Sequence, residues 1–222
     1  MEDLKKNDIY TVTIEDYSSD ASGICRINGR VVFVPKAIPG EEWEIRIVKV
    51  RYDCAYARGE RLLKASPARI VSACPYFGLC GGCDTQHISY EEELRFKLGL
   101  VNSALRRIGK QSVQATEIIG SDSVSHYRNN GKARCGFFRE RSHQLIAVDN
   151  CLIQDEISCR AAIAVTEFMN SNGTAPYDEA AGTGAVRHVF CRRSVHGNDV
   201  LLCIVSREGF GKKKQAFIDC LR

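Results

Sequence analysis

Apolar positions open the chain in short runs: Ile9–Ile14, Val31–Val34, Glu44–Val50 with Ile45 and Ile47 alternating ahead of Val48 and Val50, then Cys54–Leu63. Turn residues separate them at Ser18-Ser19-Asp20, Asn28-Gly29 and Ile38-Pro39-Gly40. About five short strands in so small a segment predict an antiparallel β-barrel of the OB type. Ser66-Pro67-Ala68-Arg69 reads as the exit from it.

The period then lengthens. Leu94, Leu98, Val101, Leu105 and Ile108 recur at helical spacing, Ser89 and Glu92 form a capping box, and Gly109 is a stop. The stripe predicts a core-facing helix. Further on, Lys132–Arg139 and Gln144–Val148 read as strands joined through Glu140–His143. Asp155 caps a predicted helix through Ile157, Ala161, Val165 and Phe168 to Gly173. Strands Ala185–Arg193 and Val200–Val205 flank the turn His196-Gly197-Asn198-Asp199, and a last helix starts near Lys212.

Composition sets the class. The 222 residues suit one large or two small domains, and 44% hydrophobic with 26% charged residues is ordinary for a core-forming protein. Disordered, collagenous and coiled-coil chains are excluded. No run approaches about 18 apolar residues, so no membrane partner is expected. The start, Met1-Glu2-Asp3-Leu4-Lys5-Lys6, lacks a signal-peptide core, and the expected compartment is the cytoplasm. A net charge of +4 permits nucleic-acid binding without demanding it. Eleven cysteines, an odd number with no export signal, point to metal ligation rather than disulfides.

The sharpest motif is Cys74-Pro75-Tyr76-Phe77-Gly78-Leu79-Cys80-Gly81-Gly82-Cys83. Glycines free the backbone to wrap the three thiols around one centre, which leaves a fourth ligand to come from elsewhere. The spacing fits neither paired zinc-ribbon hooks nor the loop that leaves one iron open. Chemistry alone leaves zinc and iron–sulfur both open.

The segment from Arg69 through Cys83-Asp84-Thr85-Gln86-His87 resembles the cluster loop of the RNA (uracil-C5) methyltransferases, which methylate tRNA or 23S rRNA. Gly29–Pro35 and Ile38-Pro39-Gly40-Glu41 resemble that family's TRAM domain, an OB-like RNA-binding barrel. Tyr127-Arg128-Asn129-Asn130, Gly136-Phe137-Phe138-Arg139 with Ser142-His143, and Gly184-Ala185-Val186-Arg187-His188 also match. The resemblance implies a structural 4Fe–4S cluster held by Cys74, Cys80, Cys83 and Cys151. Cys151 stands where the family writes Cys-Pro-Ile, although here Leu152 replaces the proline; Cys159 is its competitor. Cys25, Cys54, Cys135, Cys191 and Cys203 sit in strand patterns and read as buried small hydrophobes.

The implied fold class is α+β: a TRAM barrel over 1–66, a cluster loop over 67–90, and a mixed α/β central domain over 91–222, with the Rossmann-like catalytic domain absent from this chain. Ala181-Gly182-Thr183-Gly184 has no buried strand leading into it and reads as a surface turn, and Gly209–Lys213 lacks phosphate-loop spacing. No catalytic or cofactor-binding residue is therefore assigned, and S-adenosylmethionine is expected to bind outside this chain. The chain alone is expected to be inactive, an N-terminal portion of a monomeric enzyme acting on 23S rRNA rather than tRNA. A stand-alone TRAM-type RNA-binding protein with a structural metal is the alternative, and a redox-sensing module a third reading.

Arg46, Lys49, Arg51, Arg58 and Arg61 interleave with Tyr52 and Tyr56 on the last barrel strands. Cations among aromatics hold single strands on OB-type surfaces, and a solvated strand face fits the same residues. The resemblance implies RNA contact at Arg51, Tyr52, Tyr56 and Arg58, with a second patch at Arg128, Lys132 and Arg139.

Overall fold

The computed structural model describes residues 4–128, 130–133, 136–140, 142, 144–148, 150–179, 181–194, 196–197, 199–207 and 209–221. They fall into two compact units, one of residues 1–75 with 83–120, the other of 76–82 with 121–222.

The first unit is built on β1 (Ile9–Thr13), β2 (Asp16–Tyr17), β3 (Gly23–Ile27), β4 (Arg30–Val34), β5 (Glu42–Val50) and β6 (Cys54–Lys64). They form one sheet in the order β1-β5-β6-β4-β3-β2. Alternation decides which side chains go inward: Val32 and Val34 of β4, Ile45 and Ile47 of β5, and Ala55 of β6 are fully buried. Val12 of β1 and Cys25 of β3 join the same core, although β1 and β3 are not hydrogen-bonded neighbours. The sheet therefore wraps around its core. Asn28 and Gly29 both take positive φ between β3 and β4, which a two-residue hairpin turn requires.

The expected antiparallel barrel is corrected at one pairing. Strands β4 and β6 run parallel, with Val31 opposite Cys54 and Phe33 opposite Tyr56. β5 lies along β1, and its hairpin partner β6 fills the place beside β4 in the same direction as β4. Strand β2 is an addition to the sequence reading, and β3 gives bounds to the strand pattern around Cys25.

Helix α1 (Tyr90–Arg107) belongs to this first unit. Ser89 Oγ accepts from the Glu92 N–H at 3.3 Å, acidic residues fill the first turn, and Arg106 and Arg107 fill the last, all favourable to the helix dipole. The core-facing stripe is corrected: no residue of α1 is buried, Val101 is 49% exposed, and Ile108, its C-cap, is 83% exposed. Leu94, Leu98 and Leu105 of the stripe are half-buried, and from a neighbouring row the Phe96 ring lies 4.9 Å from Tyr17.

The second unit contains β7 (Asn130–Ala133), β8 (Phe137–Phe138), β9 (Leu145–Ile146), α2 (Glu156–Ser171), β10 (Val186–Arg193), β11 (Val200–Ser206) and α3 (Lys214–Cys220). The strand expected over 132–139 is two strands with different partners. β7 pairs with β10 in the sheet β11-β10-β7, whereas β8 pairs with β9. Cys135 and turn positions 141 and 143 lie outside the described residues. Val165, Phe168 and Met169 of α2 pack with Val186 and Val189 of β10 and Phe217 of α3. Asp155 caps α2 through Oδ1 and holds Arg193 Nη1 through Oδ2 at 3.0 Å, which ties the helix start to the end of β10. Residues 181–184 form the expected closed turn, with the Asp178 N–H on the Thr183 carbonyl at 2.8 Å. Gly184 has φ +97 and faces the Pro176 carbonyl where a Cβ would sit, so only glycine fits there.

Candidate nucleic-acid interface and cysteine loop

On β6, inward Ala55 and Ala57 leave Tyr56 and Arg58 outward. The parallel pairing sets Phe33 of β4 directly beside Tyr56, and the two rings stack at 5.4 Å with 29° between planes. Arg51 places its guanidinium 5.8 Å from the Tyr56 ring. Lys49 sits opposite Tyr56 from β5 and is exposed. Tyr52, at the β5–β6 turn, is 99% exposed. Arg51 and Tyr56 are thus brought together and Phe33 joins them, while Tyr52 stands out from the turn into solvent. Sequence reasoning missed Phe33, yet a signal existed: it is the outward position between buried Val32 and Val34.

Arg58 is less available than the sequence suggests. Its Nε and Nη2 lie 3.0 and 2.8 Å from Glu60 Oε1, the same oxygen that Arg46 Nε reaches at 2.7 Å. The two guanidinium groups hold the Glu60 carboxyl below its ordinary range. Arg61 likewise faces Glu44 at 3.3 Å. The cationic strand face is therefore half neutralised, and its open positive end is at Lys49 and Arg51.

The three residues expected in the second patch lie on separate segments. Arg128 is exposed and pairs its backbone with Ile153 and Asp155. Arg139 is exposed after β8, and its N–H donates to the Gln144 carbonyl at 2.8 Å. Lys132 lies in β7 of the other sheet, opposite Phe190.

The barrel exit is fastened by a buried carboxylate. Glu41 is fully buried and accepts from Arg69 Nε and Nη2, Trp43 Nε1 at 2.8 Å and the Ile38 N–H at 2.9 Å. Burial pushes its carboxyl up, but Arg69, Trp43 and the backbone donors outweigh that and hold it below the usual range.

Of the four expected ligands, Cys74 and Cys83 belong to the first unit, Cys80 and Cys151 to the second. All four are half-buried thiols outside any disulfide. Two N–H groups already point at sulfur: Gly82 N–H at Cys80 Sγ, 3.3 Å, and Gln86 Nε2 at Cys83 Sγ, 3.2 Å. Such donors stabilise thiolates and tune metal-bound sulfur, so the donor chemistry suits a cluster. Among the described residues no three Cys, His, Asp or Glu side chains are gathered as ligands of one metal ion. Cys159 lies in the first turn of α2; burial chiefly raises its thiol, a hydrogen bond with the Cys151 backbone opposes this, and the charges of Cys151, Asp155 and Glu156 add smaller upward pushes. Cys25, Cys54 and Cys191 are buried, as small hydrophobes would be. Cys203 is corrected to an exposed position on β11.

Residues 3–62 match the TRAM domain. The chain is similar to uncharacterized RNA methyltransferases of Halalkalibacterium halodurans (36% identical, 92% of this chain and 47% of the relative) and Listeria monocytogenes (35%, 91% and 47%). A third, of Clostridium acetobutylicum, is 33% identical over 96% of this chain and 49% of its own length. The chain thus spans about half the length of the curated relatives it matches. Its fold is similar to that of Pyrococcus abyssi tRNA (uracil-54, C5)-methyltransferase in complex with S-adenosyl-L-homocysteine, with a TM-score of 0.68, 22% identity, and coverage of 93% of this chain and 48% of that one. This corrects the expected fold class, a barrel plus an α/β domain defined by an absent catalytic domain. Over 93% of its length the chain follows the fold of the solved methyltransferase. No helix among the described residues is long and apolar enough to cross a membrane.

Proposed function

We propose that this chain supplies RNA grip to an S-adenosylmethionine-dependent RNA (uracil-C5) methyltransferase. The observation that carries the reading is similarity to RNA methyltransferases over more than nine-tenths of the chain, joined to a TRAM domain. In this reading Phe33 and Tyr56 offer stacking surface, while Lys49 and Arg51 meet phosphate. Arg128, Lys132 and Arg139 are secondary contacts. No residue of this chain is assigned as nucleophile or as cofactor ligand. The test is transfer of a labelled methyl group from S-adenosylmethionine to uridine C5 in RNA by the protein that carries this chain. Appearance of 5-methyluridine supports the proposal; RNA binding with no transfer to any uridine overturns it.

The resemblance of the loop and the N–H donors at sulfur support a 4Fe–4S cluster on Cys74, Cys80, Cys83 and Cys151. Such a cluster would tie segments together and do no chemistry on RNA, because four thiolates leave no iron open. Anaerobically purified protein is expected to be brown, with about four iron and four sulfide per chain. Serine at any of the four positions should remove the colour, and serine at Cys159 should not. Stoichiometric zinc without visible absorbance overturns the cluster. A monomer with ribosomal RNA as preferred substrate is the accompanying expectation; tighter binding of tRNA in direct competition overturns that preference.

A further inference from the structure

The three-stranded sheet of the second unit ends on one side at β11, which pairs with β10 alone among the described residues. Its seven residues, Val200-Leu201-Leu202-Cys203-Ile204-Val205-Ser206, include no charge, proline or glycine. Native edge strands are ordinarily kept short or given such residues, because an outer row of N–H and C=O groups otherwise recruits another strand. The opposite edge obeys that rule: β7 is four residues long and includes Gly131 and Lys132. Among the described residues, no hydrogen bond from a loop or side chain covers the outer backbone groups of β11.

Burial falls off toward the same edge. Val186 and Val189 of β10 are 7% and 6% exposed in the core that α2 and α3 cover. Leu202 and Ile204 pack against that core from β11, yet both are only half-buried. Val200, Leu201 and Val205 are 39%, 65% and 38% exposed. A strand laid along β11 would pair the outer backbone groups and close the flank of Leu202 and Ile204 together.

The chemistry of an edge selects its occupant. Alternating N–H and C=O groups are matched by another polypeptide strand and not by a phosphodiester backbone, which carries no donors in register. Area then selects the source. Seven residues of strand edge fall well short of the roughly 1,200 Å² that two molecules bury in a stable complex. A strand tethered in the same polypeptide needs no such area, because its effective concentration is on the order of millimolar. The curated relatives, of which this chain spans 47%, have further polypeptide to supply it.

We propose that β11 is a docking edge for a β-strand from the part of the longer methyltransferase that this chain does not span. Apolar residues at alternate positions of that strand would extend the layer of Leu202 and Ile204. The proposal rests on the parent enzyme proposed above.

The experiment is hydrogen exchange at single-amide resolution on the full-length protein, joined to photo-cross-linking from benzoylphenylalanine substituted for the exposed Leu201. Successive amides of residues 200–206 should all exchange as slowly as those of β10. The cross-link should join position 201 to a peptide outside residues 1–222 of the same molecule. If every second amide of β11 exchanges fast, the edge is open and the inference fails. Protection that is lost on dilution, with cross-links between two molecules, assigns the edge to a second copy and overturns it. A cross-link confined to residues 1–222 overturns it too. Methyl transfer to uridine by a protein with an open β11 edge would sink the docking and leave the proposed function standing. A protected edge in a protein that transfers no methyl group would do the reverse.

Discussion

Glu41 and Arg69 are 28 residues apart in sequence, and both Nε and Nη2 of the arginine reach the carboxylate, at 2.5 and 2.8 Å. The pair joins the turn before β5 to the chain leaving β6. Removing Arg69 leaves a fully buried carboxylate without its charge partner, a change that typically costs about 3–5 kcal/mol. Arg69→Met should therefore lower the urea midpoint of the first unit sharply, and Glu41→Gln somewhat less. A double variant no worse than either single variant would confirm that the two act as one latch. Independent, additive losses would refute it.

His87 is buried beside the same latch. Burial first, then the positive charge of Arg69, pulls its pKa from 6.5 down to about 4. The folded form thus stays neutral where the unfolded chain takes a proton. The sign follows: this contribution is present in full above about 6.5 and is lost as pH falls from there toward 4. The loss is on the order of 3 kcal/mol at most. Chemical denaturation at a series of pH values should show it, and His87→Leu should flatten the slope across that window. An unchanged slope in the variant would reject the assignment.

The single tryptophan gives a direct probe of barrel packing. Trp43 lays its ring over Gly59, where a Cβ would come within 2.7 Å of Cζ3. Gly59→Ala must push the indole away and strain its bond to Glu41. Overpacking of this kind costs about 1–3 kcal/mol. A shift in tryptophan emission together with a lowered Tm is expected; a variant with native emission and stability would contradict the packing.

Charge reversal separates open cations from paired ones on the strands proposed to meet RNA. Arg51→Glu should flatten the salt dependence of RNA binding by about 0.7 per neutralised phosphate. Arg58→Glu should do less, because Glu60 already holds that guanidinium. Tyr56→Ala is expected to cost about 1–3 kcal/mol if a base stacks there. Equal effects at Arg51 and Arg58 would show that the Glu60 pairing does not survive in solution.

Alternation and turn chemistry were enough to locate most strands of the barrel, both long helices with their Ser89 and Asp155 caps, and the closed turn near Gly184, because these are local: each is decided within a few residues. The cysteine motif stood out for the same reason, since its spacing and glycines are consecutive, but spacing does not decide whether its thiols meet. What tertiary structure decided was pairing. Nothing local says that β6 lies parallel to β4, yet that pairing sets Phe33 on Tyr56 and builds the aromatic surface. Nothing local says that Arg58 will share Glu60 with Arg46 from the adjacent strand, or that residues 132–139 will divide between two sheets. Helical period marked the apolar stripe of α1, but period reports only which residues share a face. Whether that face meets a core depends on what packs against it, and only the folded chain fixes that.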